Sequence, residues 1–116
     1  MSKKRRDKDF LEDIQEAINL IGLYTKGLTY RKFLEDRKVQ DAVVRNLEVI
    51  GEASKNIAAT FKAKYPDVPW KKVAGLRDKL IHFYFGIDYK IVWNIAKKEL
   101  PKLLKQVKAI LKQESK

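Results

Sequence analysis

Three features of this 116-residue chain predict an all-α, single-domain bundle of four to five helices. Apolar residues recur at three- and four-residue steps over most of its length. Nothing alternates with period two over a useful stretch. The clearest breaks fall at a pair of prolines and at single glycines. The length suits one domain with a real core but not two. Residues 1–116 are therefore expected to form one unit, with short basic tails at about 1–6 and 112–116.

Asp7 or Asp9 can cap a first helix, in which Phe10, Leu11, Ile14, Ala17, Ile18 and Ile21 form an amphipathic stripe. Gly22 and Gly27 flank its end, and Thr29 can cap a short turn through Phe33 and Leu34. A longer helix is expected from about Asp36 to Lys64, with Val39, Val43, Leu47, Ile50, Ile57 and Phe61 on one stripe. Gly51 lies inside it. A helix-interior glycine costs about 1 kcal/mol relative to alanine, so it marks a close helix crossing. Pro66 and Pro69 stop any helix. The next helix, opened by Pro69, carries Val73, Leu76, Leu80, Ile81 and Tyr84 and ends at Gly86. Asp88 caps a last helix with Val92, Ile95, Leu103, Val107 and Ile110, kinked or restarted near Leu100 by Pro101.

The composition narrows the function. There are no cysteines, which excludes disulfides and thiolate metal sites and suits a reducing cytoplasm. No apolar run approaches the ~18–20 residues that span a bilayer, so no membrane partner is expected. The basic start Met1-Ser2-Lys3-Lys4-Arg5-Arg6 has no apolar segment behind it and is not a secretory signal. Twenty-six Lys and Arg against fifteen Asp and Glu give a net charge of +11. Such an excess favours a polyanionic partner, although Lys/Glu-rich surfaces also mark proteins from hot environments. Seven lysines against two glutamates from Lys97 to Lys116 form either a phosphate-facing strip or a solvated helix face.

Several chemistries fail on inspection. Gly22 to Thr29 has a P-loop outline but lacks the lysine after its second glycine and comes after a helix rather than a strand. One histidine and no cysteine make a zinc site improbable. Glu48 and Glu52 share a helix face and could hold Mg²⁺, but surface carboxylates at this spacing are common.

The segment Arg77-Asp78-Lys79-Leu80-Ile81-His82-Phe83-Tyr84 holds the chain's one histidine, a side chain that titrates near neutrality. On a regular helix Arg77 and His82 would lie about 140° apart, and His82 and Tyr84 about 200° apart. A regular helix thus cannot aim all three inward. Either the helix loosens before Gly86, or a working site is shared across a dimer. Chemistry alone leaves His82 open between a packed or capping residue and a catalyst.

The pattern Arg77-x4-His82-x-Tyr84 resembles the R-x4-H-x-Y motif of HEPN-domain proteins of the HepT type, the toxin halves of HepT/MntA toxin–antitoxin pairs. Arg45-Asn46-Leu47-Glu48-Val49-Ile50-Gly51-Glu52-Ala53 resembles the family's second-helix signature. Pro69 to Arg77 resembles its lead-in to the motif, and Tyr84 to Asp88 with Trp93 resembles the segment after it. The three blocks stand in order, and the resemblance as a whole covers the chain from about Asp9 to Lys105.

The resemblance implies a HEPN-like bundle that pairs as a homodimer, the motifs of two subunits lining one cleft. It implies a metal-independent ribonuclease, with RNA as substrate and no cofactor. The ribose 2′-hydroxyl would attack the adjacent phosphate. His82 would be general acid or base, Arg77 would hold the phosphate, and Asp78 would orient Arg77 or His82 or merely occupy the helix face. Tyr84 would be the residue to which a cognate minimal nucleotidyltransferase antitoxin transfers AMP, as in type VII toxin–antitoxin systems. The competing expectation is a non-catalytic helical module that binds nucleotide or substrate for such a transferase. Relatives of that kind tend to lack the Arg–His pair. A basic helical scaffold without an active site ranks last.

Overall fold

The computed structural model describes residues 5–82 and 86–116, with the backbone alone for Ile81 and His82. Two long helices and a composite third form the body. α1 (Asp7–Thr25) packs along α3 (Arg37–Asn56), and α8 (Leu100–Glu114) packs against α1. Short helices fill the connections: α2 (Tyr30–Leu34), α4 (Ala59–Ala63), α5 (Trp70–Ala74), α6 (Leu76–Leu80) and α7 (Tyr89–Asn94). A π-helical turn, Ile95–Glu99, joins α7 to α8. Two-residue strands β1 (Ile81–His82) and β2 (Gly86–Ile87) pair antiparallel, Ile81 with Ile87 and His82 with Gly86. The architecture is all-α, with more and shorter helices than the four or five expected.

Most residues of the predicted stripes form the core, with Phe10, Val39 and Phe61 half-buried against it and the side chains of Ile81 and Tyr84 outside the described residues. Leu11, Ile14 and Ile21 from α1 meet Val43, Leu47 and Ile50 from α3 and Val107 from α8, each at most 1% exposed. The caps obey local chemistry. Thr29 accepts from the Lys32 N–H at 3.1 Å, Asp36 from the Val39 N–H at 3.1 Å, and Asp88 from the Lys90 and Ile91 N–H groups. At α1 the cap position is Arg6, whose N–H donates to the Asp9 carboxylate at 2.9 Å. Buried Gln40 donates to the carbonyls of Phe33 and Leu34, closing the end of α2. Gly51 sits at a crossing as expected: a Cβ there would lie 3.4 Å from the Ala74 carbonyl oxygen and 3.5 Å from that of Val73.

Three expected boundaries are corrected. The helix expected to run to Lys64 stops at Asn56, where Ile57 turns extended with ψ 134° while staying buried. The chain then restarts as α4 because Asp7, 51 residues away, accepts from the Ala58 N–H at 2.9 Å. The helix expected from Pro69 to Gly86 is split at Gly75 and ends at Leu80. Ile81 is β-branched and favours extended backbone. Gly86, at φ +76°, supplies a conformation that other residues rarely adopt. The restart near Pro101 takes a specific form. Proline lacks an N–H and clashes with the carbonyl four residues back. The preceding turn therefore widens, with the Leu100 N–H donating to Ile95 across five residues.

Candidate active site

Short α6 positions the motif. Leu76 and Leu80, four residues apart, are 3% and 1% exposed and pin the helix to the core. Arg77, Asp78 and Lys79 between them all face solvent. The helix stops at Leu80, whose carbonyl accepts from the Asp88 N–H at 3.0 Å, and His82 comes next on β1. The continuous helix that posed the geometric difficulty is absent, because α6 ends at Leu80, before Gly86. Arg77 and His82 stand on different elements, so their separation is not that of one helical face. Tyr84, the expected modification site, lies outside the described residues, as does the His82 side chain.

Arg77 points toward α3, where its Nε lies 3.8 Å from Oε2 of Glu48. The two side chains are 65% and 40% exposed, so the pair is loose and hydrated. Both line a groove of about 380 Å³ between α1, α3 and α6, which also receives Arg5, Asp13, Arg45 and Glu52. Arg5 is tied to Asp13 at 2.9 Å. Arg45 is exposed and makes no ion pair among the described residues. A phosphate entering here would meet one guanidinium that is free and one held only weakly. Guanidinium suits it, with planar N–H donors that match two phosphate oxygens.

Asp78 is exposed and makes neither hydrogen bond nor ion pair to Arg77. Among the described residues, no three His, Cys, Asp or Glu side chains converge on a metal position. Glu48 and Glu52 instead share their groove with Arg77 and Arg45. No described helix is long and apolar enough to cross a membrane.

Arg45 and Glu48 acquire a place that the sequence does not assign them. In sequence both belong to the second-helix block, Arg45 without a role of its own and Glu48 only as a weak Mg²⁺ candidate with Glu52. The only signal available is three-residue spacing on one face of α3, which cannot say that α6 lies opposite.

Comparison with known proteins supplies the family. The family model for HepT-like ribonucleases matches residues 14–110. "Probable ribonuclease HepT" of Thermococcus cleftensis is 52% identical over 100 residues, covering 86% of this chain and 91% of that protein. "Putative RNase MJ0127" of Methanocaldococcus jannaschii is 50% identical over 109 residues, covering 94% and 90%. "Putative RNase TTE0752" of Caldanaerobacter subterraneus subsp. tengcongensis is 46% identical over 107 residues, covering 92% and 96%. No solved structure gives a significant match. The all-α bundle and this breadth of similarity agree: the chain belongs to the HepT-like ribonuclease family.

Proposed function

We propose that this chain is a metal-independent ribonuclease toxin of a type VII toxin–antitoxin system, with Arg77 and His82 as its catalytic pair. The observation that carries the reading is the placement of Arg77. It is solvent-facing on a helix pinned by two core leucines, a helix that gives way after Leu80 to the strand bearing His82. A guanidinium presented to solvent on a helix that leads directly into the His82 strand suits phosphodiester transfer.

The 2′-hydroxyl oxygen forms a bond to phosphorus as the bond from phosphorus to the 5′-oxygen breaks. The products are a 2′,3′-cyclic phosphate and a 5′-hydroxyl. A base takes the 2′-hydroxyl proton and an acid protonates the departing oxygen. His82 fills one of these roles, contributing about 10²–10⁴-fold to rate. Arg77 binds the charge that builds on the phosphorane. Pairing as a homodimer would bring a second motif into the same cleft.

Tyr84 is the regulatory residue in this reading. A separate nucleotidyltransferase transfers AMP from ATP to its hydroxyl. The bond between the α-phosphorus and the oxygen bridging to the β-phosphate breaks, pyrophosphate leaves and the phenolic proton is lost. The added phosphate neutralises Arg77 and fills the cleft.

The test compares RNA cleavage by native protein, Arg77→Ala and His82→Ala, with EDTA present. Native protein is expected to cut, and each variant to lose at least about 100-fold. Variants that cut at the native rate would remove the pair from the mechanism.

A further inference from the structure

A second groove, on the other side of α6, has a different character. It holds about 500 Å³, and its lining includes Lys79, Lys90, Lys97, Lys98, Tyr30 and Trp93. Its lining contains four ammonium groups and no carboxylate. Lys90 and Lys98 are exposed and make no ion pair among the described residues. Lys79 is only loosely held, 3.9 Å from Glu99. Lys97 is fixed over the Trp93 ring at 5.2 Å while donating to the carbonyl and hydroxyl of Thr25.

The aromatic part is equally built. Trp93 packs on fully buried Phe33 at 5.1 Å and lies 6.1 Å from Tyr30. The Trp93 indole N–H donates to no partner among the described residues. The π-helical turn forced by Pro101 carries Lys97 and Lys98 to this groove, while Glu99 stays off its lining, paired closely with Lys72 at 2.8 Å and only loosely with Lys79 at 3.9 Å. Every polar side chain on the lining can donate a hydrogen bond, and none is an anion. That selects a ligand with negative charge and a flat, apolar body.

We infer that this groove is a single-stranded RNA subsite, holding a nucleotide away from the scissile phosphate. Its base rests against the Tyr30–Trp93 pair, and its flanking phosphates meet Lys90 and Lys98. Location decides for a strand over a free nucleotide. Arg77 and Lys79 are two residues apart on α6 and so point to opposite sides, about 200° around its axis. A helix with side chains is about 10–12 Å across, so one strand crossing it reaches both grooves. The choice of RNA as the polyanion rests on the proposed ribonuclease activity. The site itself rests on charge and shape.

The experiment uses a short single-stranded 2′-O-methyl RNA, which binds but cannot be cut, and reads fluorescence anisotropy against salt. Lys90→Ala/Lys98→Ala is expected to weaken binding at least about tenfold at 0.1 M salt. The salt slope should become shallower by about 1.4, since each phosphate released from a single strand contributes ~0.7. In a Trp70→Phe background Trp93 is the sole tryptophan, and its emission should change as RNA saturates. An unchanged affinity and slope overturns the subsite, and this result stands even if Trp70→Phe fails to fold. An equal loss with duplex RNA overturns it too, because general surface charge would then suffice. AMP alone perturbing Trp93 at the same concentration as the oligonucleotide would assign the groove to a free nucleotide instead. None of these readouts requires cleavage. A catalytically silent native protein would refute the proposed activity, while the anisotropy result would still decide the subsite.

Discussion

Replacing Glu48 by Gln isolates what Arg77 is doing in its groove. The Arg77–Glu48 pair is 3.8 Å apart, with side chains 65% and 40% exposed. At that distance two unit charges in a water-like dielectric attract by about 1 kcal/mol. Side-chain ordering and salt reduce the benefit further, so unfolding stability should change by less than about 1 kcal/mol in Glu48→Gln. A phosphate reaching Arg77 must share it with Glu48. Removing that competition should strengthen binding of uncleavable RNA by up to about fivefold, the equivalent of ~1 kcal/mol. The gain should fade at 1 M salt, where the Debye length falls to about 3 Å. Anisotropy titrations at two salt concentrations measure it, with thermal melts as the control. A folded Glu48→Gln that binds RNA more weakly, or cleaves about 100-fold more slowly, would refute the reasoning. Glu48 would then hold Arg77 in its working position rather than compete for it.

Three further predictions test the scaffold. Asp7→Ala removes the carboxylate that caps Ala58 and should cost about 1 kcal/mol, read as a fall in the urea midpoint; an unchanged midpoint would show that α4 needs no cap from α1. Gly51→Ala should be close to neutral, because its Cβ meets the Ala74 carbonyl at ordinary contact distance while helix propensity improves. Gly51→Val should lose about 1–3 kcal/mol as its methyls press on the backbone of α5, and equal melting temperatures for the two variants would contradict that crossing. At the far end of α8, the Tyr65 hydroxyl donates to the Glu114 carboxylate, which Lys64 also holds at 2.9 Å. The Tyr65 hydrogen bond, then Lys64, lower the Glu114 pKa, and the same bond raises that of Tyr65. A depressed carboxylate stabilises above its ordinary value of 4.5 and loses that contribution as pH falls through the folded value. The raised phenol contributes below 10.0 and loses it as pH rises. The melting-temperature difference between native protein and Glu114→Gln should therefore shrink at the acid end; a constant difference from pH 7 to about pH 3 would contradict it.

Local chemistry is legible in the sequence, and distant chemistry is not. Thr29, Asp36 and Asp88 each cap the next helix because an Asx or hydroxyl side chain reaches its own next turn. Pro101 reads as an interruption, since its missing N–H is a property of the residue itself. The break at Ile57 does not, because Ile57 keeps the apolar phase of the stripe and the group that restarts the chain is Asp7, on another helix. The end of α6 at Leu80 escapes the sequence for a related reason. Gly86 looks like the stop, whereas its positive φ serves the strand pair and the helix yields earlier at a β-branched residue.

The candidate site divides in the same way. Arg77 is legible from its motif, and its exposure from the two leucines that flank it. The groove that pairs Arg77 with Glu48 and Arg45, and the lysine–aromatic groove across α6, depend on which helices become neighbours. Trp93 illustrates the gap. Its position after the motif is plain in the sequence, but only packing on Phe33 and beneath Lys97 makes it part of a surface.

The chemistry of the cut ends tests the central proposal most directly. RNA incubated with purified native protein in EDTA should yield 2′,3′-cyclic phosphate and 5′-hydroxyl termini, seen by mass spectrometry. A single 2′-deoxy substitution at the cut position should abolish that cut, and His82→Ala should produce neither terminus. Cleavage that survives the 2′-deoxy substitution, or that continues at the native rate in His82→Ala, would contradict a reaction run by Arg77 and His82 on the ribose 2′-hydroxyl.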